Sequence, residues 1–269
     1  LLSAPVTATM RAMEPVLLEV SDRIATITIN RPEARNALSS EVLRLLPQRL
    51  QDAGARHDVD VLILTGADPA FCAGLDLKEL GSPDNRIIGA GASEASVTRR
   101  PFADVDKPVI AAVNGAAITG GFELVLNCDF VVASEHARFG DTHARVGVMP
   151  GWGLTVLLPQ AIGVRRAREM SFTGNFLTAE EAFQFGLVNH VVPHAELIPF
   201  TRRLAMDIVG NDQAGVRQIR RTYAAGAATT IAGAWEVEAR DAAAWQRDFD
   251  PSRVADRRAA IIERGRSQG

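Results

Sequence analysis

The chain has 269 residues, 47% of them hydrophobic and 23% charged, with a formal net charge of −3. This balance supplies material for a sizeable core and gives no basic footprint for nucleic acid, and no apolar run approaches the ~20 residues that cross a bilayer. Only two cysteines occur, Cys72 and Cys128, with no CxxC and no Cys/His metal spacing, which fits reduced thiols in a cytoplasmic protein. Residues 1–13 lack a basic start followed by a long apolar stretch; they are read as a disordered leader and kept out of the fold.

The first elements are a hairpin, Val16 to Val20 and Ile24 to Asn30, joined at Ser21-Asp22-Arg23. Its second strand alternates Ile24, Thr26 and Thr28 against Ala25, Ile27 and Ile29, the period of two of a strand. After an irregular stretch from Asn30 to Asn36, Ser39 or Ser40 caps a helix whose apolar positions are Val42, Leu45, Leu46 and Leu50, with Pro47 placed to kink it. Val61 to Thr65 is a short buried strand. Residues 71–76 are read as a loop leading into a short helix. Residues 81–96, rich in Gly, Ser and Ala, are expected to be mobile, and a helix is expected over about 97–105. Strand 109–113, helix 120–127 and a strand from Asp129 to Ala133 follow, an alternation that predicts α/β layers with right-handed crossovers. Beyond Gly153 helices are expected at about 153–161, 163–171 and 179–185, with a strand near Val188 to Val192. The chain is helical from His194, with Pro251 separating the last two helices.

The most informative stretch runs from Lys107 to Asp129. A buried strand is followed by a turn and by a helix that opens on Gly120 and Gly121, with one carboxylate, Glu123, among Phe122, Leu124, Val125 and Leu126. Free N–H groups at a helix start attract developing negative charge, and a carboxylate beside them is a candidate base. The pairing suggests carbonyl polarisation coupled to proton transfer. A plainer reading of Glu123 is support of the helix dipole or a capping box. The box fails on spacing if Thr119 is the cap, and lacks a side chain if Gly120 is. A buried carboxylate among apolar neighbours needs a further reason.

Four segments in order, Asn30-Arg-Pro-Glu-Ala-Arg-Asn-Ala-Leu38, Phe71-Cys-Ala-Gly-Leu-Asp-Leu-Lys78, the 107–129 stretch and Arg138-Phe-Gly-Asp-Thr-His-Ala-Arg-Val-Gly-Val-Met-Pro-Gly151, resemble the enoyl-CoA hydratase/isomerase, or crotonase, superfamily. The resemblance covers about Val16 to Val192. It implies an α/β fold, a crotonase-like spiral of ββα units over residues 14–195, with a C-terminal helical, trimerising lobe over 196–269. It also implies a homotrimer or dimer of trimers acting on an acyl-CoA thioester, with no partner nucleic acid or membrane. No cofactor is implied beyond the coenzyme A carried by the substrate, and no metal.

Residue by residue, the resemblance assigns the oxyanion hole to the backbone N–H groups of Leu75 and Gly120; by residue type alone Gly74 and Gly120 also serve as tight-turn glycines. Glu123 matches a catalytic glutamate. Register puts His143 where hydratases carry a second Glu, so imidazole can replace the second acid, with Asp141 orienting it, or Glu123 can perform both proton steps while His143 is structural. Asp-x-His alone lacks the further ligands a metal needs. The coenzyme A contacts carried over are Arg35, Ala37, Leu38, Ala73, Asp76 and Leu77, Arg35 being suited either to phosphate or to solvent. Trp152 lines the acyl end or anchors the core. Trp235 and Trp245 are taken as core or subunit contacts. The implied activity is hydration of a 2-enoyl-CoA to a 3-hydroxyacyl-CoA in fatty-acid metabolism. The rivals are double-bond isomerisation on the same scaffold and acyl-CoA binding without catalysis.

Overall fold

The structure is a computed structural model and describes residues 14–84, 87, 101–102 and 105–267. The expected leader at 1–13 lies outside these residues, as do most of the expected mobile segment and the helix at 97–105. No helix among the described residues is long and apolar enough to cross a membrane.

The hairpin forms as β1 (Val16–Ser21) and β2 (Ile24–Ile29), with Val16 opposite Ile29. Helix α1 (Ser40–Ala55) is capped by Ser39, whose hydroxyl accepts from Val42 N–H, and it buries Val42, Leu46, Leu50 and Ala53. It continues through Pro47, although the missing N–H leaves the Leu43 carbonyl without its usual helical donor. Strands β3 (Val61–Gly66), β5 (Val109–Val113), β7 (Phe130–Ser134) and β10 (His190–Val192) extend β2 into a six-stranded sheet, order β1-β2-β3-β5-β7-β10, parallel beyond the hairpin.

A second sheet was not foreseen from the sequence. Strands β4 (Ala70–Cys72), β6 (Ala116–Ile118), β8 (Arg138–Gly140) and β9 (Phe176–Thr178) pair in that order. Residues 71–72, read as loop, and 116–118, read as turn, belong to it. Three-residue strands are too short to display a period. Their addition makes the chain's rhythm plain: one strand in each sheet, then a helix, in the units β3-β4-α2 (Leu77–Leu80), β5-β6-α3 (Gly120–Leu126) and β7-β8-α4 (His143–Val146). This is the ββα spiral that the resemblance implied.

Helices α5 (Leu154–Ile162), α6 (Val164–Thr173) and α7 (Ala179–Gln184) follow. Every residue of β3 and β5 is buried, because the large sheet is covered on both faces. One face, with Leu62, Leu64, Ala111 and Val113, joins Phe71, Phe122 and Phe139 in the main core. The other, with Val61, Ile63, Ile110 and Ala112, packs against α8 (Leu197–Val209) through Leu197 and Ala205. Helix α8 therefore packs with the sheets, and the described residues separate into two compact units at the Val216–Arg217 boundary. Helix α9 (Gln213–Ala227) precedes α10 (Ile231–Arg247) and α11 (Pro251–Ser267), in which Pro251 takes the first helical position. Trp235 and Trp245 of α10 are exposed by 71% and 37%, so neither is a buried core anchor.

One buried polar side chain holds the approach to the site together. Asn36, with φ 57°, sits in the left-handed region that Asn tolerates. Its Nδ2 donates to the carbonyls of Ala67 and Ala70, and its Oδ1 accepts from Arg31 N–H. Asn36→Ala removes all three bonds and leaves the buried Ala70 carbonyl without this donor, and is expected to lower unfolding free energy by about 2–4 kcal/mol in urea titrations.

Candidate active site

Close packing of glycines brings the site together. A Cβ on Gly121 would lie 2.2 Å from the Cys72 carbonyl oxygen, so only glycine lets α3 rest on β4. Gly74, with φ 90°, lies against Ile118 and Thr119; a Cβ there would be 2.9 Å from the Ile118 carbonyl oxygen. The residues that follow Gly74 and Thr119 in the chain are Leu75 and Gly120. Leu75 forms a parallel bridge with Leu38, in which Leu38 N–H donates to Gly74 O at 2.8 Å and Asp76 N–H to Leu38 O at 3.1 Å. That pattern turns the N–H of Leu75 itself to the opposite side. Gly120 is the first residue of α3, where amides have no partner within the helix. Its cap is Thr119, which makes no side-chain cap bond, so Glu123 completes no capping box.

Glu123 is 3% exposed. Its Oε1 accepts from Trp152 N–H at 2.7 Å and from Leu154 N–H at 3.4 Å, satisfying amides at the start of α5. Its Oε2 faces His143 Nε2 at 3.5 Å. On the far side of the ring, His143 Nδ1 pairs with Asp141 Oδ1 at 2.6 Å, and the same oxygen accepts the His143 backbone N–H at 3.1 Å. The three buried groups stand in series, an imidazole between two carboxylates. Among the described residues no cluster of His, Cys, Asp and Glu is arranged to hold a metal.

Burial works against charge on both Asp141 and His143, and hydrogen bonding outweighs it. The Asp141 carboxyl is held below the usual carboxylate range by His143 and by the Ser171 hydroxyl. The two carboxylates raise the His143 imidazole from 6.5 to about 9, so it is a cation at neutral pH. A folded-state value above the unfolded one stabilises the fold fully below pH 6.5, and the gain disappears as pH rises through about 9. Thermal scans of wild type and His143→Gln from pH 6 to 10 should therefore converge as pH rises.

The six expected coenzyme A residues fall in two touching segments. Ala73 N–H donates to the Arg35 carbonyl at 3.1 Å, which joins residues 35–38 to 73–77 alongside the Leu38 bridge. Ala37 and Leu38 are buried, Arg35 is exposed and Leu77 is 62% exposed. The Asp76 carboxylate is engaged within the protein: Oδ2 takes Arg31 Nη1 at 3.0 Å, and Oδ1 caps α2 through Lys78 N–H. Burial raises its pKa, and these bonds more than offset that, so the net shift is downward. Arg31, which also donates to the Ala37 carbonyl at 2.8 Å, was not singled out from sequence. Nor were Ser171 and Asn127, although Asn127 stands out as a polar residue one helical turn beyond Glu123 in an apolar helix. Trp152 is partly buried and packs against the core, and its Cζ3 would lie 3.8 Å from a Cβ on Gly120.

Fold and site together define an α/β protein of two sheets and covering helices, with a buried carboxylate–imidazole–carboxylate series beside a helix that opens on glycine. Residues 19–250 match the family described as enoyl-CoA hydratase/isomerase, and the chain belongs to that family. It is 41% identical over 200 residues to a probable peroxisomal enoyl-CoA hydratase 1 of Arabidopsis thaliana, covering 74% of each chain. To a crotonyl-CoA hydratase of Syntrophomonas wolfei it is 36% identical, covering 85% of this chain and 88% of the relative. The crystal structure of an enoyl-CoA hydratase from Mycobacterium tuberculosis H37Rv superposes with a TM-score of 0.72 at 48% identity, covering 83% of this chain and 95% of that one.

Proposed function

We propose that this protein is a hydratase-like lyase that adds water across the double bond of a 2-enoyl-CoA to give a 3-hydroxyacyl-CoA. The observation that carries the reading is the buried Glu123–His143–Asp141 series, whose Glu123 lies in the first turn of the helix that opens on Gly120. The amides of Leu75 and Gly120 hold the thioester oxygen as it becomes enolate-like, a contribution of roughly 3–4 kcal/mol per donor in a dry site. Glu123 Oε2 takes a proton from water as its oxygen bonds to Cβ. The His143 imidazolium, kept charged by Asp141, gives its proton to Cα. The proton on Glu123 then passes to the neutral imidazole at 3.5 Å and restores both groups. Trp152, beside Gly120, bounds the acyl chain, and the segments 35–38 and 73–77 hold the coenzyme A portion of the substrate.

Assembly as a homotrimer or dimer of trimers is part of the same proposal, supported by the exposure of Met149, Phe172 and Phe176, at 83%, 78% and 48%. The test of the reaction is loss of the conjugated thioester absorbance when purified protein meets 2-enoyl-CoA substrates of graded chain length. No turnover with any of them rejects the reading. Incubation with 3-enoyl-CoA and product analysis separates hydration from isomerisation.

A further inference from the structure

We propose that Asn127 is a positioning residue for the Glu123 carboxylate and acts through the backbone of Trp152. The proposal rests on the reading of Glu123 given above. Asn127 closes α3 one turn after Glu123, beyond the buried Phe122, Leu124 and Val125. Its Nδ2 donates at 2.8 Å to the Glu123 carbonyl and at 2.8 Å to the Trp152 carbonyl. The first bond lies within the helix and fixes the side chain's direction. The second leaves the helix and grips the loop before α5.

Trp152 N–H, in turn, donates to Glu123 Oε1 at 2.7 Å. Both backbone polar groups of Trp152 are therefore held by one helix, from positions one turn apart. The start of α5 is held by the same oxygen through Leu154 N–H. With Oε1 fixed in this way, Oε2 is aimed at His143 Nε2. A simple helix-capping role accounts for the bond to the Glu123 carbonyl but not for the one to Trp152.

Misplacing a reacting group by about 1 Å costs on the order of 100-fold in rate, which sets the scale of the effect. Asn127→Leu keeps the size and removes both donated bonds. With a short 2-enoyl-CoA it is expected to lower kcat by about 10- to 100-fold and to change KM by less than about threefold. Asn127→Gln, which retains an amide donor, is expected to recover part of the loss. NMR titration of the His143 ring in the full chain supplies a readout independent of turnover. In Asn127→Leu its midpoint should fall toward the ordinary histidine value as the Glu123 carboxylate drifts away.

Unchanged kcat together with an unchanged His143 titration overturns the proposal, and so does a loss confined to thermal stability. If the wild type turns over no enoyl-CoA, the functional reading fails, while the His143 titration still decides whether Asn127 positions Glu123. If Asn127→Leu does not fold, Asn127→Ser, whose shorter hydroxyl cannot serve both carbonyls, is judged by the same two measurements.

Discussion

Glu123→Gln is expected to reduce kcat for hydration by about 10²- to 10⁴-fold while leaving the protein folded. The glutamine retains an oxygen that can accept from Trp152 N–H and Leu154 N–H, the two bonds that tie α3 to the start of α5. It loses the ability to take a proton from water. KM should change little, because the groups proposed to hold the substrate, the amides of Leu75 and Gly120 and the segments 35–38 and 73–77, are untouched. Glu123→Ala is a poorer test, since it leaves those α5 amides without an acceptor in a buried site. Steady-state rates with a short 2-enoyl-CoA, alongside a melting curve, decide the matter. A glutamine variant with more than half the wild-type rate would remove Glu123 from the mechanism.

His143→Gln carries the second large expectation, a fall in kcat of about 10²-fold together with a changed pH profile. In the proposed mechanism the imidazolium gives the proton to Cα, so the rate should decline as pH rises through about 9. The variant should lack that alkaline limb. If His143 merely shapes the cavity, the variant keeps the limb and most of the rate. Asp141→Asn adds a discriminating control. Removing the negative charge 2.6 Å from Nδ1 should move the limb to lower pH without abolishing activity, which a general loss of folding cannot imitate.

How far the sequence discloses this molecule depends on the length of the signal each part leaves. The large sheet was legible because β2 alternates cleanly and because residues 61–64 of β3 and all of β5 are apolar runs, as expected of strands covered on both faces. Helix α1 was legible from Ser39 and the spacing of Val42, Leu46 and Leu50. The small sheet was not, because each of its strands has three residues and its register depends on contacts far apart in sequence, such as Cys72 with Ala117. Helix α8 was assigned to the C-terminal lobe because an amphipathic helix does not reveal which surface its apolar stripe meets. The carboxylate at 123 was legible as a lone acid in an apolar stretch, and the imidazole at 143 only through its register with the family's second Glu. Their connection was not: that Oε1 of Glu123 is tied to Trp152, and that Asp76 is occupied by Arg31, are facts of tertiary placement that no local pattern encodes.

The ββα rhythm has a consequence for how this chain acquires activity. Leu75 belongs to the first of the three successive units, Gly120 and Glu123 to the second, and Asp141 and His143 to the third. No unit holds all of the proposed reacting groups. A chain arrested with two turns wound would already have hydrogen-bonded sheet, yet it would lack Asp141 and His143. During refolding, catalytic competence should therefore lag behind the circular-dichroism signal.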